Sequence, residues 1–259
     1  MSASKTGKVP AVDRAFATIE LLAASNGGLS ISTVARRLKV PKSSVHLIMT
    51  TLEDRGYLRK DLPSHKYFIG LRLTELARVA LENFELRKRS KPLMADLAAK
   101  IDLTVHMAVL DGSEAALIER IQSPGSVQLD TWVGQRMHVN CTALGKALLA
   151  CLSEEEFKRT IQGRRLIKHN QYTICSIAKL RDELNRIRAA GYAVDNEEEE
   201  IGVRCIGAPI FDHTGKVIAA ISAAGTTAQI PMERIEKFAK YVRETADRIS
   251  LTLGYRIRL

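Results

Sequence analysis

Residues able to do bond chemistry are present in this chain, but their spacing gives them little to do. Leu144-Gly145-Lys146-Ala147 holds a Gly-Lys pair without the preceding glycine or the following Ser/Thr of a phosphate-binding loop. No G-x-G-x-x-G, H-E-x-x-H or G-x-S-x-G occurs, so dinucleotide binding, zinc hydrolysis and a nucleophile elbow have no local signature. His138 and Cys141, with Cys205 distant in sequence, would make a metal site or a thiol dyad only if folding brought them together. Burial among small residues is the commoner outcome, and neither a metal, a cofactor nor a catalytic residue is expected. His106 lies in an apolar strand pattern, the setting of a hydrogen-bonded core histidine, and the acidic run 197–200 reads as a solvated edge.

What the chain does carry is positive charge, unevenly placed. Of a net +10 over 259 residues, residues 1–91 hold 17 Lys+Arg against 8 Asp+Glu, a balance of +9. Residues 92–259 hold 22 against 21, a balance of +1. Such asymmetry points to a front part that meets a polyanion and a back part that does something else. A membrane surface would call for an amphipathic helix with Lys/Arg opposite Trp, Phe or Leu. The basic part has no Trp and spreads its cations over several segments, so no membrane partner is expected. A composition of 46% hydrophobic and 26% charged residues excludes a disordered or collagen-like chain. The longest nearly apolar run, 217–225, falls short of the roughly 20 residues of a membrane span, and the first residues lack a signal-peptide core. Four cysteines without a CxxC pair argue for reduced thiols and a cytoplasmic location.

The elements that would position the charge follow from periodicity. Val12, Ala15, Phe16, Ile19, Leu22 and Ala23 recur at helical spacing, which predicts a helix over 12–25 stopped at Asn26-Gly27-Gly28. Ser30 can cap a second short helix carrying Val34, Ala35 and Leu38, and Pro41 suits the start of a third, with Val45, Ile48, Met49 and Leu52 inward. Strands over 57–60 and 66–69 around Asp61-Leu62-Pro63-Ser64 complete a winged helix-turn-helix over 1–70. The outward face of the third helix presents Ser43, Leu47, Thr50 and Asp54, flanked by Lys42, His46 and Thr51. With Ser44, the residues Lys42, Ser43, His46, Leu47 and Thr50 form the expected base- and phosphate-facing set. Arg36, Arg37, Lys39, Arg59, Lys60 and Lys66 are the expected phosphate partners. An apolar Leu47 in the groove suits a thymine methyl.

A helix over 71–91, with Leu73, Leu76, Ala77, Ala80, Leu81 and Phe84 on one face, would link this module to the rest, its run Arg87-Lys88-Arg89 with Lys91 reading as a solvated end. One recognition helix covers too few base pairs to be selective, so a dimer on a palindromic site fits. Beyond Pro92 the pattern is mixed: strands over 104–110, 115–121, 127–133, 202–211 and 217–224, and helices over 93–100, 142–152, 154–161, 176–190 and 232–253. This describes an α+β domain over 92–259, a sheet layered with helices.

Five segments in this order carry a resemblance to a known family: 40–46 (VPKSSVH), 52–58 (LEDRGYL), 142–150 (TALGKALLA), 191–195 (GYAVD) and 202–210 (GVRCIGAPI). Together they resemble the isocitrate-lyase-regulator (IclR) family of bacterial transcription factors over nearly the whole chain. The resemblance implies an N-terminal winged helix-turn-helix, a linker helix and a C-terminal GAF-like α/β effector-binding domain. It implies a homodimer or homotetramer on double-stranded operator DNA, controlling a catabolic operon in response to a small organic acid. Matched residue by residue, the effector's carboxylate would be held by the backbone amides of Ala143 and Leu144, by Asp195 and Cys205, and by Ser222. Two departures, Ala224 in place of a second serine and Leu144 in place of a smaller residue, imply a more apolar pocket that disfavours the smallest acids. Leu47 stands where the family often has arginine, so no operator sequence carries over. The rival reading is an enzyme of small organic acids with a basic N-terminal appendage.

Overall fold

The computed structural model describes residues 9–82, 85–162 and 165–256. The chain divides into two compact units, 1–83 and 84–259. In the first, helices α1 (Pro10–Ala23), α2 (Ile31–Leu38) and α3 (Lys42–Asp54) precede the hairpin β1 (Leu58–Asp61) and β2 (Lys66–Ile69), followed by α4 (Arg72–Glu82). This is the expected winged helix-turn-helix. The Ser30 hydroxyl caps α2 by accepting from the Thr33 amide at 3.3 Å. Leu22, Val34, Val45, Met49, Leu52, Leu58 and Tyr67 lie in its core, so all three helices and the wing close on one apolar centre.

The inward arc of α1 is narrower than the apolar pattern suggests. Thr18 and Leu22 are buried, with Ala15 and Ile19 packed beside them, while Val12 (53% exposed) and Phe16 (61%) face out. A threonine can take the core position because its hydroxyl donates to Arg14 O at 2.8 Å. The stripe expected for 71–91 is likewise uncovered, with Leu76, Ala77 and Ala80 exposed and Leu73 half-buried; the side chain of Leu81 and all of Phe84 lie outside the described residues.

The second unit opens with α5 (Glu85–Ile101), and here the expected boundary at Pro92 fails. The helix runs through Pro92 because Leu86, Ser90, Met94, Leu97, Ala98 and Ile101 all fall on one buried face. Burial along that face outweighs the one backbone bond a proline removes. Nor is its N-terminal cationic run merely solvated, since Arg87 pairs with the buried Glu119 at 2.8 Å. Then follow β3 (Thr104–Asp111), β4 (Glu114–Ile121), β5 (Arg136–His138), α6 (Ala143–Ala150), α7 (Glu154–Ile161) and α8 (Ile177–Ala190). The chain closes with β6 (Ala193–Asn196), β7 (Val203–Phe211), β8 (Val217–Thr226), a short 3-10 turn and α9 (Ile235–Thr252).

The strands form one antiparallel sheet of order β5-β4-β3-β8-β7-β6. Helices α5 and α9 cover one face through Met94, Leu97, Phe238 and Val242, packed on Val105, Ile206 and Ile221. The cluster of Leu144, Leu148, Phe157, Leu180 and Leu184 lays α6, α7 and α8 over the other face, on Leu117 and Ala220. The strand expected at 127–133 is absent. Its alternating Val127, Leu129, Thr131 and Val133 have no neighbour to pair with, because the short β5 takes the edge of β4, and the segment crosses the unit as irregular chain.

Candidate functional site

The DNA-facing residues expected from the sequence fall on one module. Arg36, Arg37, Lys39, Lys42, Ser43, His46, Leu47, Arg59, Lys60 and Lys66 are exposed, and Ser44 and Thr50 are half-buried. Leu47 is 69% exposed on α3 and takes no part in the apolar core. None of the seven cations stands in an ion pair among the described residues. On the wing, the Arg59 guanidinium lies 4.6 Å from the Phe68 ring centre and the Lys60 ammonium 5.7 Å from that of Tyr67. These contacts hold each stem against the hairpin while the charge stays in water.

In the second unit, register builds a cavity. Asp195 on β6 pairs with Cys205 on β7, and Cys205 with Ala224 on β8; two residues along, Gly207 pairs with Ser222 and Ser222 with His106 on β3. Residues directly opposite in a sheet share a face, so Asp195, Cys205, Ala224, Ser222 and His106 look the same way. Helix α6 is pressed against this face at its start. A Cβ on Gly207 would lie 2.7 Å from Ala143 O, and one on Gly145 would lie 2.4 Å from Val139 Cα, so glycine permits the close approach on both sides. The Thr142 side chain caps the helix by accepting from Gly145 N at 3.1 Å, which leaves the Ala143 and Leu144 amides without an acceptor among the described residues.

The result is a cavity of about 320 Å³ lined by all five residues expected there, Ala143, Leu144, Asp195, Cys205 and Ser222. The expected apolar character appears in Leu129, Met137, Ala143, Leu144, Val203 and Ala224. Asp130, Asp195, Glu199 and Glu200 also line the space, and no lysine or arginine does. The run 197–200 is therefore not a solvated edge. Glu198 is buried against the fully buried Lys146 of α6, whose ammonium also donates to Val194 O at 2.6 Å and lies 3.5 Å from Glu183. A buried cation has drawn the acidic loop inward.

Burial sets the protonation of this cavity. It pushes the Asp195 carboxyl up to about 8, the nearby Glu198 adding to the shift and Lys146 opposing it. Glu199 is raised to about 7, by burial and then by Glu200, and burial holds the Cys205 thiol well above its ordinary value. His106 is lowered to about 3, by burial and then by Arg120, so it stays a neutral imidazole whose Nε2 sits 2.9 Å from Thr131 Oγ1. A neutral Asp195 can donate a hydrogen bond where an ionised one can only accept.

That shift makes a prediction. Unfolded, the Asp195 carboxyl titrates near 3.8, so between about pH 4 and 8 the folded chain keeps a proton that the unfolded chain has lost. Its contribution to stability is complete below pH 4 and disappears as pH rises through 8. Asp195→Asn cannot ionise, so thermal unfolding from pH 5 to 8 is expected to show a flatter loss of Tm than wild type. Equal slopes would mean that the carboxyl is already ionised in the folded state.

His106, Thr131, His169 and Glu199 line the cavity without having been expected there. His169 comes from the chain between α7 and α8, which has no periodicity to read. Glu199 was hidden in an acidic run whose burial depends on Lys146.

The chain matches the IclR helix-turn-helix domain over residues 11–62 and the bacterial transcriptional regulator IclR C-terminal domain over residues 78–251. It is similar to the transcriptional repressor IclR of Escherichia coli, 30% identical over 255 residues that cover 98% of this chain and 93% of that protein. Among solved structures, the IclR of Thermotoga maritima superposes with a TM-score of 0.76 at 31% identity, covering 96% of this chain and all of that one. An IclR homolog of Microbacterium hydrocarbonoxydans, solved with 4-hydroxybenzoate, gives 0.79 at 25% identity, over 94% of this chain and 98% of that one. These relatives are regulators, which removes the enzyme reading. A winged helix with free cations, followed by a sheet domain enclosing a cavity, and two family domains matched in order make this chain a DNA-binding member of the IclR family of bacterial transcriptional regulators.

Proposed function

We propose that this regulator controls a catabolic operon from the cytoplasm and that its signal is a small organic acid seated in the 320 Å³ cavity. The observation that carries the reading is the convergence there of two free amides at the start of α6 with Asp195, Cys205 and Ser222. Amides at a helix start favour a carboxylate, and a protonated Asp195 adds a donor. A space of this volume has room beyond a two-carbon acid. The relative solved with 4-hydroxybenzoate supports an acid with an apolar body, which Leu129, Met137 and Leu144 would cover here.

Operator DNA would be read as a palindrome by two subunits. Val9 (62% exposed), Val12 and Phe16 along one side of α1 form an apolar surface suited to a second copy. The effector then acts by binding the DNA-competent and incompetent arrangements unequally, and about 1–3 kcal/mol of coupling changes operator affinity 5–150-fold.

Titration of small acids against wild type, Asp195→Ala and Ser222→Ala tests the site. Loss of a hydrogen bond to a charged group costs about 1.5–3 kcal/mol, so each variant is expected to bind the active acid roughly 10–150-fold more weakly. Unchanged affinity in both would remove the assignment.

A further inference from the structure

Beside the cavity four side chains from three separate segments converge. His138 ends β5, Cys141 lies in the turn before α6, His169 belongs to the chain between α7 and α8, and Glu199 to the loop between β6 and β7. One ligand-type atom from each lies within 4.8 Å of all the others. His138 Nδ1 and His169 Nε2 are 3.0 Å apart, with the rings tilted 51°. We propose that His138, Cys141, His169 and Glu199 bind a divalent transition-metal ion of the zinc class.

The chemistry of the set favours that ion. Two imidazoles, a thiolate and a carboxylate are the donors of tetrahedral zinc, whereas calcium and magnesium select oxygen alone. Bonds of 2.0–2.3 Å in a tetrahedron hold ligand atoms about 3.3–3.8 Å apart, so from their present spacing within 4.8 Å the four need to close by no more than about 1.5 Å. Binding replaces the contact between the two ring nitrogens, each of which turns its lone pair to the ion. The Cys141 thiol loses its proton to solvent as the sulfur–metal bond forms.

The surrounding hydrogen bonds hold these segments in place independently of the four ligands. The side-chain amide of buried Asn140 donates to Ile167 O at 3.1 Å and Ile174 O at 2.9 Å, tying the Cys141 turn to the His169 segment. The Asn170 amide donates to Glu197 O at 2.8 Å, and the Thr173 hydroxyl donates to Glu198 O at 2.7 Å, tying that segment to the Glu199 loop. Thr173 Oγ1 also accepts from His169 N at 3.1 Å. Such outer partners orient ligands in metal sites. His169 and Glu199 line the cavity as well, so the ion would place positive charge at the edge of a carboxyl-rich space that has no cationic side chain.

The site is defined by metal alone, whatever acid the cavity takes. The untagged full-length chain, reduced and metal-free, is titrated with Co²⁺. Expected are one equivalent bound per chain, a thiolate-to-cobalt charge-transfer band, visible bands of tetrahedral intensity, and displacement by Zn²⁺. His169→Ala, at an exposed position, is expected to weaken binding at least about 10–100-fold, the loss that outer partners alone produce. Cys141→Ser should abolish the charge-transfer band while Cys175→Ala, at the exposed cysteine, leaves it. No saturable Co²⁺ binding, or equal binding by wild type and His169→Ala, overturns the proposal. Because Cys141 is buried and its variant can fail to fold, the His169→Ala result decides alone in that event.

Discussion

Raising the salt from about 50 to 200 mM is expected to lower the affinity of this protein for duplex DNA by about three to five decades. The magnitude follows from counting cations. Arg36, Arg37, Lys39, Arg59, Lys60 and Lys66 stand exposed on α2, its C-cap and the wing, and none is already paired within the described residues. Two subunits engaging about 6–10 phosphates would release that many counterions, which sets the slope. Replacing one of these residues, as in Arg37→Ala, should weaken binding to every sequence and reduce the slope by about one. Leu47→Ala should do the opposite. It changes no charge, so the slope stays, while about 1–3 kcal/mol is lost only at sites carrying a thymine under α3. Filter binding or anisotropy across a salt series separates the two patterns. A slope worth one or two phosphates would mean that the basic face does not meet the backbone as described.

The other large effect concerns stability. Lys146→Met is expected to destabilise the second unit by about 3–5 kcal/mol, the cost of leaving a buried charge without its partner. The ammonium is fully buried and holds Glu198, Glu183 and Val194 O together. The two carboxylates respond differently to it. Burial keeps Glu198 above its ordinary pKa despite the adjacent cation. Burial also pushes Glu183 up, but the Arg186 guanidinium at 2.6 Å and then Lys146 outweigh it, so Glu183 ends lower. Glu198 is thus the carboxyl whose burial Lys146 opposes most directly, and adding Glu198→Gln to Lys146→Met should recover much of the loss. Urea unfolding of wild type and of both single and double variants closes the cycle. A single variant as stable as wild type would show that Lys146 contributes nothing net.

Much of the fold was legible because its signals are local. The cap at Ser30, the proline before α3, the stripe Val45-Met49-Leu52 and the turn between β1 and β2 each act within a few residues. The box of Ser153 and Glu156 at the start of α7 is equally local, each side chain meeting the other's backbone. Where a signal depends on a distant partner, the reading failed. Residues 127–133 alternate like a strand, but alternation without a neighbour makes no ladder. Pro92 reads as a stop, yet the buried face of α5 passes through it. The short β6 escaped notice because four residues carry too little pattern.

The cavity was legible in the same uneven way. Asp195, Cys205 and Ser222 came from a family resemblance, and the pairing of β6, β7 and β8 shows why they belong together. His169 and Glu199 had no such cue. One sits in chain without periodicity, and the other looked solvated until Lys146 was seen to be buried.

The irregular passage of residues 127–133 over the sheet unit has a consequence for how such sensors diverge. Leu129 and Thr131 face the cavity from backbone that belongs to no strand. Changing Leu129 unzips nothing, whereas changing Thr131 removes the hydrogen-bond partner of buried His106 and changing Cys205 or Ser222 disturbs residues inside the sheet. For the effector seat proposed above, retuning is therefore cheapest at Leu129 and its irregular neighbours, and a randomised library confined to this stretch is where altered effector choice should first emerge.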